Sequence, residues 1–290
     1  AEMAALQVEM IRNDLIRDVS KLYYTIDYLT DKHDHLIQLN ELYVNFAKSA
    51  KRKFELGETN YLEMITAESK SKLIRITLEE LENEIAKAYE HLNLWLQDEQ
   101  KYEVVDAELN KVSLQPIDLN ANVSIAYFKE NTNLFKARES VEKQGLLPDF
   151  HINYYNSKDK VANISVNSVQ LGISLPIFFW GKSASINAAR IEHDIASELA
   201  VSSGLKLSAK HEMLLTDLRK FEAQLVYYEE IGQELALEVL KTAEASYQNG
   251  EIDFFQYIQS MEVYNDLKIN YLTSINNYNQ VALEINYLNL

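Results

Sequence analysis

Phe54-Glu55-Leu56-Gly57-Glu58-Thr59-Asn60-Tyr61-Leu62 and Tyr247-Gln248-Asn249-Gly250-Glu251-Ile252-Asp253-Phe254-Phe255 are two copies of one turn, with Gly57 and Gly250 set 193 positions apart. Each copy follows a long helical pattern and precedes another. The register then holds without a gap: Ile65 falls on Ile258, Arg75 on Lys268, Ile76 on Ile269, Leu78 on Tyr271 and Leu92 on Ile285. A match at one fixed offset over this length marks a duplicated architecture. Its unit is a pair of long helices in which a glycine ends the first member.

Before the first turn, Leu15, Val19, Leu22, Ile26, Leu29, His33, Leu36, Asn40, Tyr43, Ala47, Ala50 and Phe54 advance by fours and threes, the spacing of a coiled-coil seam. After it, Leu78, Leu81, Ile85, Ala88, Leu92 and Trp95 place a second helix over about 59–98. Residues 99–117 lose the period and read as a connection. A shorter helix over about 118–144 stops at Gly145.

The period then changes from helical to two. Phe150, Ile152 and Tyr154 alternate with His151, Asn153 and Tyr155, and Val169, Leu171, Ile173 and Leu175 alternate with Gln170, Gly172 and Ser174. With the polar stretch Asn156–Asn167 between them, these runs predict a strand hairpin over about 149–176. Helical pattern resumes after Gly181 and runs to about 248, a rod on the order of 100 Å. Its seam is Leu214, Leu218, Phe221, Leu225, Tyr228, Gly232, Leu235 and Val239. Gly232 lies on that seam, where a missing side chain predicts close approach of a neighbouring backbone. The last helix, 252–289, carries Tyr264, Tyr271 and Tyr278 seven apart, with Met261, Ile275, Ala282 and Ile285 on the same stripe. Each helix bears one apolar stripe, so the helices must pack as a bundle.

Composition agrees. Only 7 Gly and 3 Pro occur in 290 residues, so little turn material is present. The 44 acidic residues exceed the 28 basic ones for a net charge of −16, which argues against nucleic acid as a partner. The absence of Cys removes disulfides, thiolate metal sites and thiol catalysis, and fits a periplasmic protein. No run of 18 apolar residues is present, so no transmembrane helix is predicted. The pattern is already helical at Ala1, as in an excised or processed piece.

Leu146-Leu147-Pro148-Asp149-Phe150 through Gly172-Ile173-Ser174-Leu175-Pro176-Ile177-Phe178-Phe179-Trp180-Gly181, followed by Ala188-Ala189-Arg190, resembles the second repeat of the TolC family of outer-membrane efflux channels. There a Pro-Asp or Pro-Ser start opens a strand pair, and a Leu-Pro-Ile-Phe-x-x-Gly type of block closes it and launches the longest helix. Ala245-Ser246-Tyr247-x-x-Gly250 and the heptad tyrosines match as well, so the resemblance covers nearly the whole chain in order. Leu-Leu-Pro-Asp-Phe and Pro-Ile-Phe-Phe are most like the heavy-metal branch (the CusC and CzcC type), including versions fused to a resistance-nodulation-division pump.

The resemblance implies a mainly α fold: duplicated long helical hairpins of a TolC-like α-helical tunnel with one short β-hairpin, in a single domain. Within it, 1–117 is a first repeat lacking its strand pair and 118–290 the second repeat. It also implies a homotrimeric parent in which each copy gives four strands to a twelve-stranded barrel, acting with a periplasmic adaptor and a resistance-nodulation-division pump in the periplasm and outer membrane of a Gram-negative bacterium. Two departures stand out. One hairpin per copy supplies six strands rather than twelve, and only 27 residues separate Pro148 from Pro176. Strands of about 10 residues just reach across a bilayer.

By position the resemblance assigns adaptor or pump contact to Gly57, Glu58, Thr59 and Asn60 and to Gly250, Glu251, Ile252 and Asp253. Plain helix capping by the same acidic and polar residues is the competing reading. Leu175, Pro176, Ile177, Phe178 and Gly181 form the strand-to-helix motif. No metal site or cofactor is predicted. His33 and His35 diverge by about 200° on a helix, and His33 on the seam reads as a packed histidine. His91, His151, His193 and His211 are scattered, and Met3, Met10, Met64, Met213 and Met261 do not cluster. Glu222, Glu229, Glu230, Glu234 and Glu238 suit either a lumen wall or a solvated face. No nucleophile with a base, phosphate loop or framed carboxylate pair is present, so an enzyme is not expected. The expected function is a passive efflux conduit, foremost for heavy-metal cations. The alternatives are a coiled-coil scaffold without a pore, a similar duct for drugs or secreted proteins, and a metal-binding sensor or chaperone.

Overall fold

With so few breakers, nothing stops the helices early. In the computed structural model, which describes residues 2–97, 102, 104, 109–159, 164–174 and 179–290, α1 spans Glu2–Glu55 and α2 Tyr61–Leu96. Next come α3 (Val123–Gln144), β1 (Asp149–Asp159), β2 (Ile164–Ser174), α4 (Phe179–Tyr227), α5 (Gln233–Gln248) and α6 (Phe254–Asn286). The class is mainly α with one two-stranded sheet among the described residues. The third helix begins later than its pattern implied. Asp118 caps a short 3₁₀ turn, Leu119–Ala121, and Asn122 then starts the α-helix by accepting from Ser124 N at 2.9 Å.

The strands pair antiparallel from Asp149↔Ser174 through Asp159↔Ile164. Pairing therefore continues through much of the polar stretch that read as the connection. Asn156 and Asn167 are directly opposed, and the Asn156 amide donates to Asn167 Oδ1 at 2.7 Å, so side-chain hydrogen bonds extend the ladder where alternation fades.

The chain forms two compact units: Ala1–Met10 with Asp118–Ser208 and Asn289–Leu290, and Ile11–Ile117 with Ala209–Leu288. In the first, α4 buries Ala189, Ala196 and Ser203, small residues seven apart. Small side chains let helices approach closely, and Thr132 on α3 reaches Ala196 O at 3.1 Å. The final residues are tied in by side chains: Asn289 donates to Met10 O at 3.0 Å and Leu290 N to Ser124 Oγ at 3.2 Å.

In the second unit α6 is buried around more than half of its circumference, including Met261, Tyr264, Leu272, Ile275, Tyr278, Ala282 and Ile285. One cluster joins Ile26, Leu36, Leu39, Tyr43 and Phe46 of α1 to Leu78 and Leu81 of α2, Ala236 and Ala243 of α5, and the first half of α6. A second joins Leu109, Leu218 and Leu225 to the later half of α6. Glu284 is held by Lys21 and lies 3.6 Å from Arg17 and 3.8 Å from Lys210. Burial pushes its carboxyl upward, but these cations outweigh burial and hold it below the usual carboxylate range.

The long helix after the hairpin is interrupted at a point that no residue pattern marks. Tyr228–Gly232 forms a π turn. A π turn holds one residue more than an α turn, so the seam beyond it is displaced by one. Leu218, Leu225 and Gly232 are followed by buried Ala236 and Ala243, whereas Leu235, expected inside, is 38% exposed. The space at Gly232 is also filled differently from expectation. A Cβ there would lie 2.8 Å from Cδ1 of Tyr228, so the ring of its own helix occupies the position rather than a neighbouring backbone.

The connection before residue 118 is held by two asparagines. Asn279, fully buried, donates to Asn110 O and accepts from Val112 N, both at 2.8 Å. Asn286 repeats this one heptad later, donating to Ser113 O at 3.0 Å and accepting from Gln115 N at 2.8 Å. Seven helical residues rise ~10 Å and three extended residues span about the same distance, so the two ladders stay in step. Replacing the fully buried Asn279 with Ala removes its side-chain bonds to Asn110 O and Val112 N and leaves a gap in the packing. Asn279→Ala is expected to lose about 1–3 kcal/mol of stability, and Asn286→Ala, at the exposed end, no more than about 1 kcal/mol; urea unfolding followed by circular dichroism measures both.

Candidate functional site

The two hairpin turns lie in the second unit and share the same main-chain hydrogen bonds. At the first, Gly57 N donates to Phe54 O at 3.0 Å and Glu58 N to Lys53 O at 2.8 Å. At the second, Gly250 N donates to Tyr247 O at 3.2 Å and Glu251 N to Ser246 O at 2.8 Å. This is the Schellman ending of a helix, in which the residue after the cap is left-handed. Gly57 and Gly250 accordingly have φ of +76° and +74°.

Three residues beyond each glycine a cap starts the next helix: Asn60 Oδ1 accepts from Glu63 N at 3.0 Å, and Asp253 Oδ1 from Gln256 N at 2.8 Å. Gln256 Oε1 in turn accepts from Asp253 N at 2.9 Å, completing a capping box. Glu63 instead takes the Thr59 hydroxyl and the Asn60 amide. Glu251 accepts from Ser246 Oγ at 3.0 Å. Gly57, Glu58, Asn60, Gly250, Glu251 and Asp253 are exposed, and Thr59 and Ile252 half-buried. Capping thus engages Asn60 and Asp253 through their oxygens and leaves Glu58 outermost.

The side chains around the two turns differ. In the second hairpin three rings point at the first, while Phe255 is exposed: Phe254 stacks on Phe46 at 5.0 Å, Tyr257 packs on it at 5.1 Å, and Tyr247 lies parallel to Tyr257 at 4.8 Å. The Lys53 ammonium sits 4.7 Å above the Tyr247 ring, a cation–π contact. Lys70 of α2 also pairs with Glu262 of α6. Burial, with Glu244 and Tyr247 nearby, pushes the Tyr257 hydroxyl upward, so it stays neutral. In the first hairpin Phe54 and Tyr61 pair with each other at 5.8 Å, and Leu56, Tyr61 and Leu62 are exposed.

The strand hairpin has two unlike faces. Phe150↔Ile173, Ile152↔Leu171 and Tyr154↔Val169 form an apolar face, each residue 62–75% exposed. His151↔Gly172, Asn153↔Gln170 and Tyr155↔Ser168 form the other. The three apolar pairs rise roughly 13 Å, and their face turns polar at Asn156 and Asn167. The His151 ring lies over Gly172 in the space a Cβ would take, so this histidine covers a bare strand position.

Of the strand-to-helix motif, Leu175, Pro176, Ile177 and Phe178 lie outside the described residues. Gly181 is in the first turn of α4, exposed, with nothing near its missing side chain. Glu222, Glu229, Glu230, Glu234 and Glu238 are all exposed, and Glu229 pairs with Lys111 at 3.1 Å. The packed histidine of α1 is His35, not His33. His33 stands half-buried 3.7 Å from Glu82, whereas His35 is 4% exposed with Nε2 3.2 Å from Asn265 Oδ1. A single heptad line misses it because α1 is covered on two flanks, and His35, Leu39 and Phe46 occupy the second. Among the described residues no three His, Asp or Glu converge as a metal site requires.

The sequence profile of outer membrane efflux proteins matches residues 117–266. Among solved structures, the outer-membrane channel OprN superposes with a TM-score of 0.89 at 15% identity, covering 99% of this chain and 68% of that one. CusC superposes with a TM-score of 0.86 at 13% identity, covering 98% and 70%. The CmeC outer membrane channel of Campylobacter jejuni gives 0.83 at 14% identity, covering 98% and 64%. No curated protein matches the sequence. At such identities the likeness speaks for the fold, which is that of TolC-like helical tunnel channels.

Two outcomes test this geometry. Gly57→Ala and Gly250→Ala meet no atoms but force alanine into the left-handed region, so each is expected to lose about 1–2 kcal/mol, equally at both turns, in urea unfolding. Gly172→Val drives a side chain into the His151 ring. It is expected to accelerate amide exchange over residues 150–154, and adding His151→Ser restores protection.

Proposed function

The chain belongs to the outer membrane efflux protein family, and from that membership we propose that it is the helical-tunnel part of a passive TolC-like duct. The 290 residues act as one domain, 1–117 and 118–290 being its two repeats. Three copies surround a pore, and a resistance-nodulation-division pump, through a periplasmic adaptor or by fusion, supplies the driving force. Heavy-metal cations are the cargo. Relatives in the family and in the structural comparison are channels rather than enzymes, which fits a conduit that acts by width and charge.

The observation that carries the reading is the pair of identical turns with non-identical surroundings. Gly57, Glu58, Thr59, Asn60, Gly250, Glu251, Ile252 and Asp253 form the tip that meets the adaptor or pump. The second hairpin is held to the first by the Phe46, Tyr247, Phe254 and Tyr257 rings and by Lys53. The first presents Leu56, Tyr61 and Leu62 outward, where a partner covers them. Opening then means parting these ring contacts, and a partner seated on the outward residues supplies the free energy. Leu175, Pro176, Ile177, Phe178 and Gly181 are assigned as the family's strand-to-helix motif. The apolar face of the strand hairpin meets outer-membrane lipid in a sheet closed between copies, with alternation of the lipid-out, polar-in kind. The heavy-metal assignment rests on Leu-Leu-Pro-Asp-Phe and Pro-Ile-Phe-Phe, and the acidic balance favours cations.

Cells carrying the intact parent gene are expected to lose tolerance to copper, silver, zinc or cobalt, and to accumulate that metal, when residues 1–290 are deleted. A drug panel scored beside the metals decides the cargo. Loss of drug tolerance alone replaces the metal assignment, and unchanged tolerance to everything overturns the conduit.

A further inference from the structure

A cavity of about 340 Å³ opens between α1, α5 and α6, just after the π turn. Pockets that hold small molecules begin at about this size. Its inner wall is built from buried groups, His35, Ala236, Tyr264 and Leu272. The His35 and Tyr264 rings meet at 5.3 Å, giving an apolar and partly aromatic floor. Asn265 engages one ring nitrogen of His35, and burial, aided by Lys268, depresses its proton affinity, so the ring is neutral near neutral pH.

The rim is charged, with opposite signs on opposite helices. Asp31 and Asp34 belong to α1 and Lys268 to α6, and the carboxamides of Gln38 and Gln233 lie in the same lining. A simple amine entering this opening meets Lys268, and a simple carboxylate meets Asp31 and Asp34. A molecule with both charges satisfies both rims, and its apolar side chain rests on the floor. The π turn sets this geometry, because the one-residue displacement puts the small Ala236, rather than Leu235, against the core.

We propose that this cavity is a binding site for a small zwitterion with an apolar side chain, of the α-amino acid class. Its ammonium lies against Asp34, its carboxylate against Lys268, and its side chain over Tyr264 and His35. The site is formed within one copy of the chain, so its occupancy does not depend on what the duct exports.

The test uses the full chain with labelled histidines, His35 being assigned by His35→Gln. Three probes share one side chain: L-phenylalanine, its amide, which is only cationic, and N-acetyl-L-phenylalanine, which is only anionic. L-Phenylalanine is expected to shift the His35 ring resonance saturably, with half-saturation at least tenfold lower than for either analogue. Lys268→Gln and Asp34→Asn sit at the rim and leave the core intact; each is expected to raise the L-phenylalanine half-saturation about tenfold with helix content unchanged. Absence of a saturable His35 shift, an equal response to all three probes, or binding that survives both variants overturns the site. None of these outcomes bears on metal tolerance in cells, so the site and the conduit are tested separately.

Discussion

The second unit depends on the broad buried face of α6. A helix with one apolar stripe needs one neighbour; α6, buried over more than half its circumference, needs several at once. Each buried Leu, Ile, Met or Tyr there contributes roughly 1.5–3 kcal/mol relative to exposure, and no single partner helix collects that sum. The remaining elements are therefore recruited together: α1 and α2 as one hairpin, α5 as the other arm of α6's own, and an extended segment where no helix fits. The excess negative charge is left on outer surfaces, where water screens it.

Much of this was legible in the residues. The 193-residue offset located both turns, and the main-chain bonds and cap acceptors there repeat at that offset, because a Schellman ending followed by a cap is specified by local chemistry alone. Alternation located the hairpin for a similar reason. What was hidden depends on neighbours distant in sequence. The π turn leaves no compositional mark, since Tyr228-Glu229-Glu230-Ile231-Gly232 is acceptable α-helix. His35 was passed over because a one-stripe template assigns a helix one neighbour, and α1 has two. Asn279 and Asn286 looked like ordinary polar residues of a helix, as their partners are backbone atoms of a segment with no pattern of its own. At the candidate site the backbone was readable and the division of labour was not. Nothing in Phe54 against Tyr247, or Tyr61 against Phe254, announces that one pair faces outward and the other inward.

That division shows how duplication yields two roles. The backbone of the two turns is constrained by capping and stays equal, while the rings one helical turn away are free to diverge. In the second copy Tyr247, Phe254 and Tyr257 are internal, joining Phe46 and Lys53, and in the first Leu56, Tyr61 and Leu62 form an apolar surface. With two turns, either can change without altering the other's bonds.

The asparagine pairing with residues 110–115 touches only main-chain atoms, and its spacing equates three extended residues with one heptad. Apart from Val112, which packs against the core beside α6, and Lys111, which pairs with Glu229, side chains along that strip are thus free to drift, whereas its length is not. Losing one residue there would turn donors toward donors at the second asparagine, while a change of three would bring the pattern back into phase. In relatives of this chain the strip should therefore vary widely in composition yet hardly at all in residue count, so that insertions and deletions, rather than substitutions, mark where the arrangement has been abandoned.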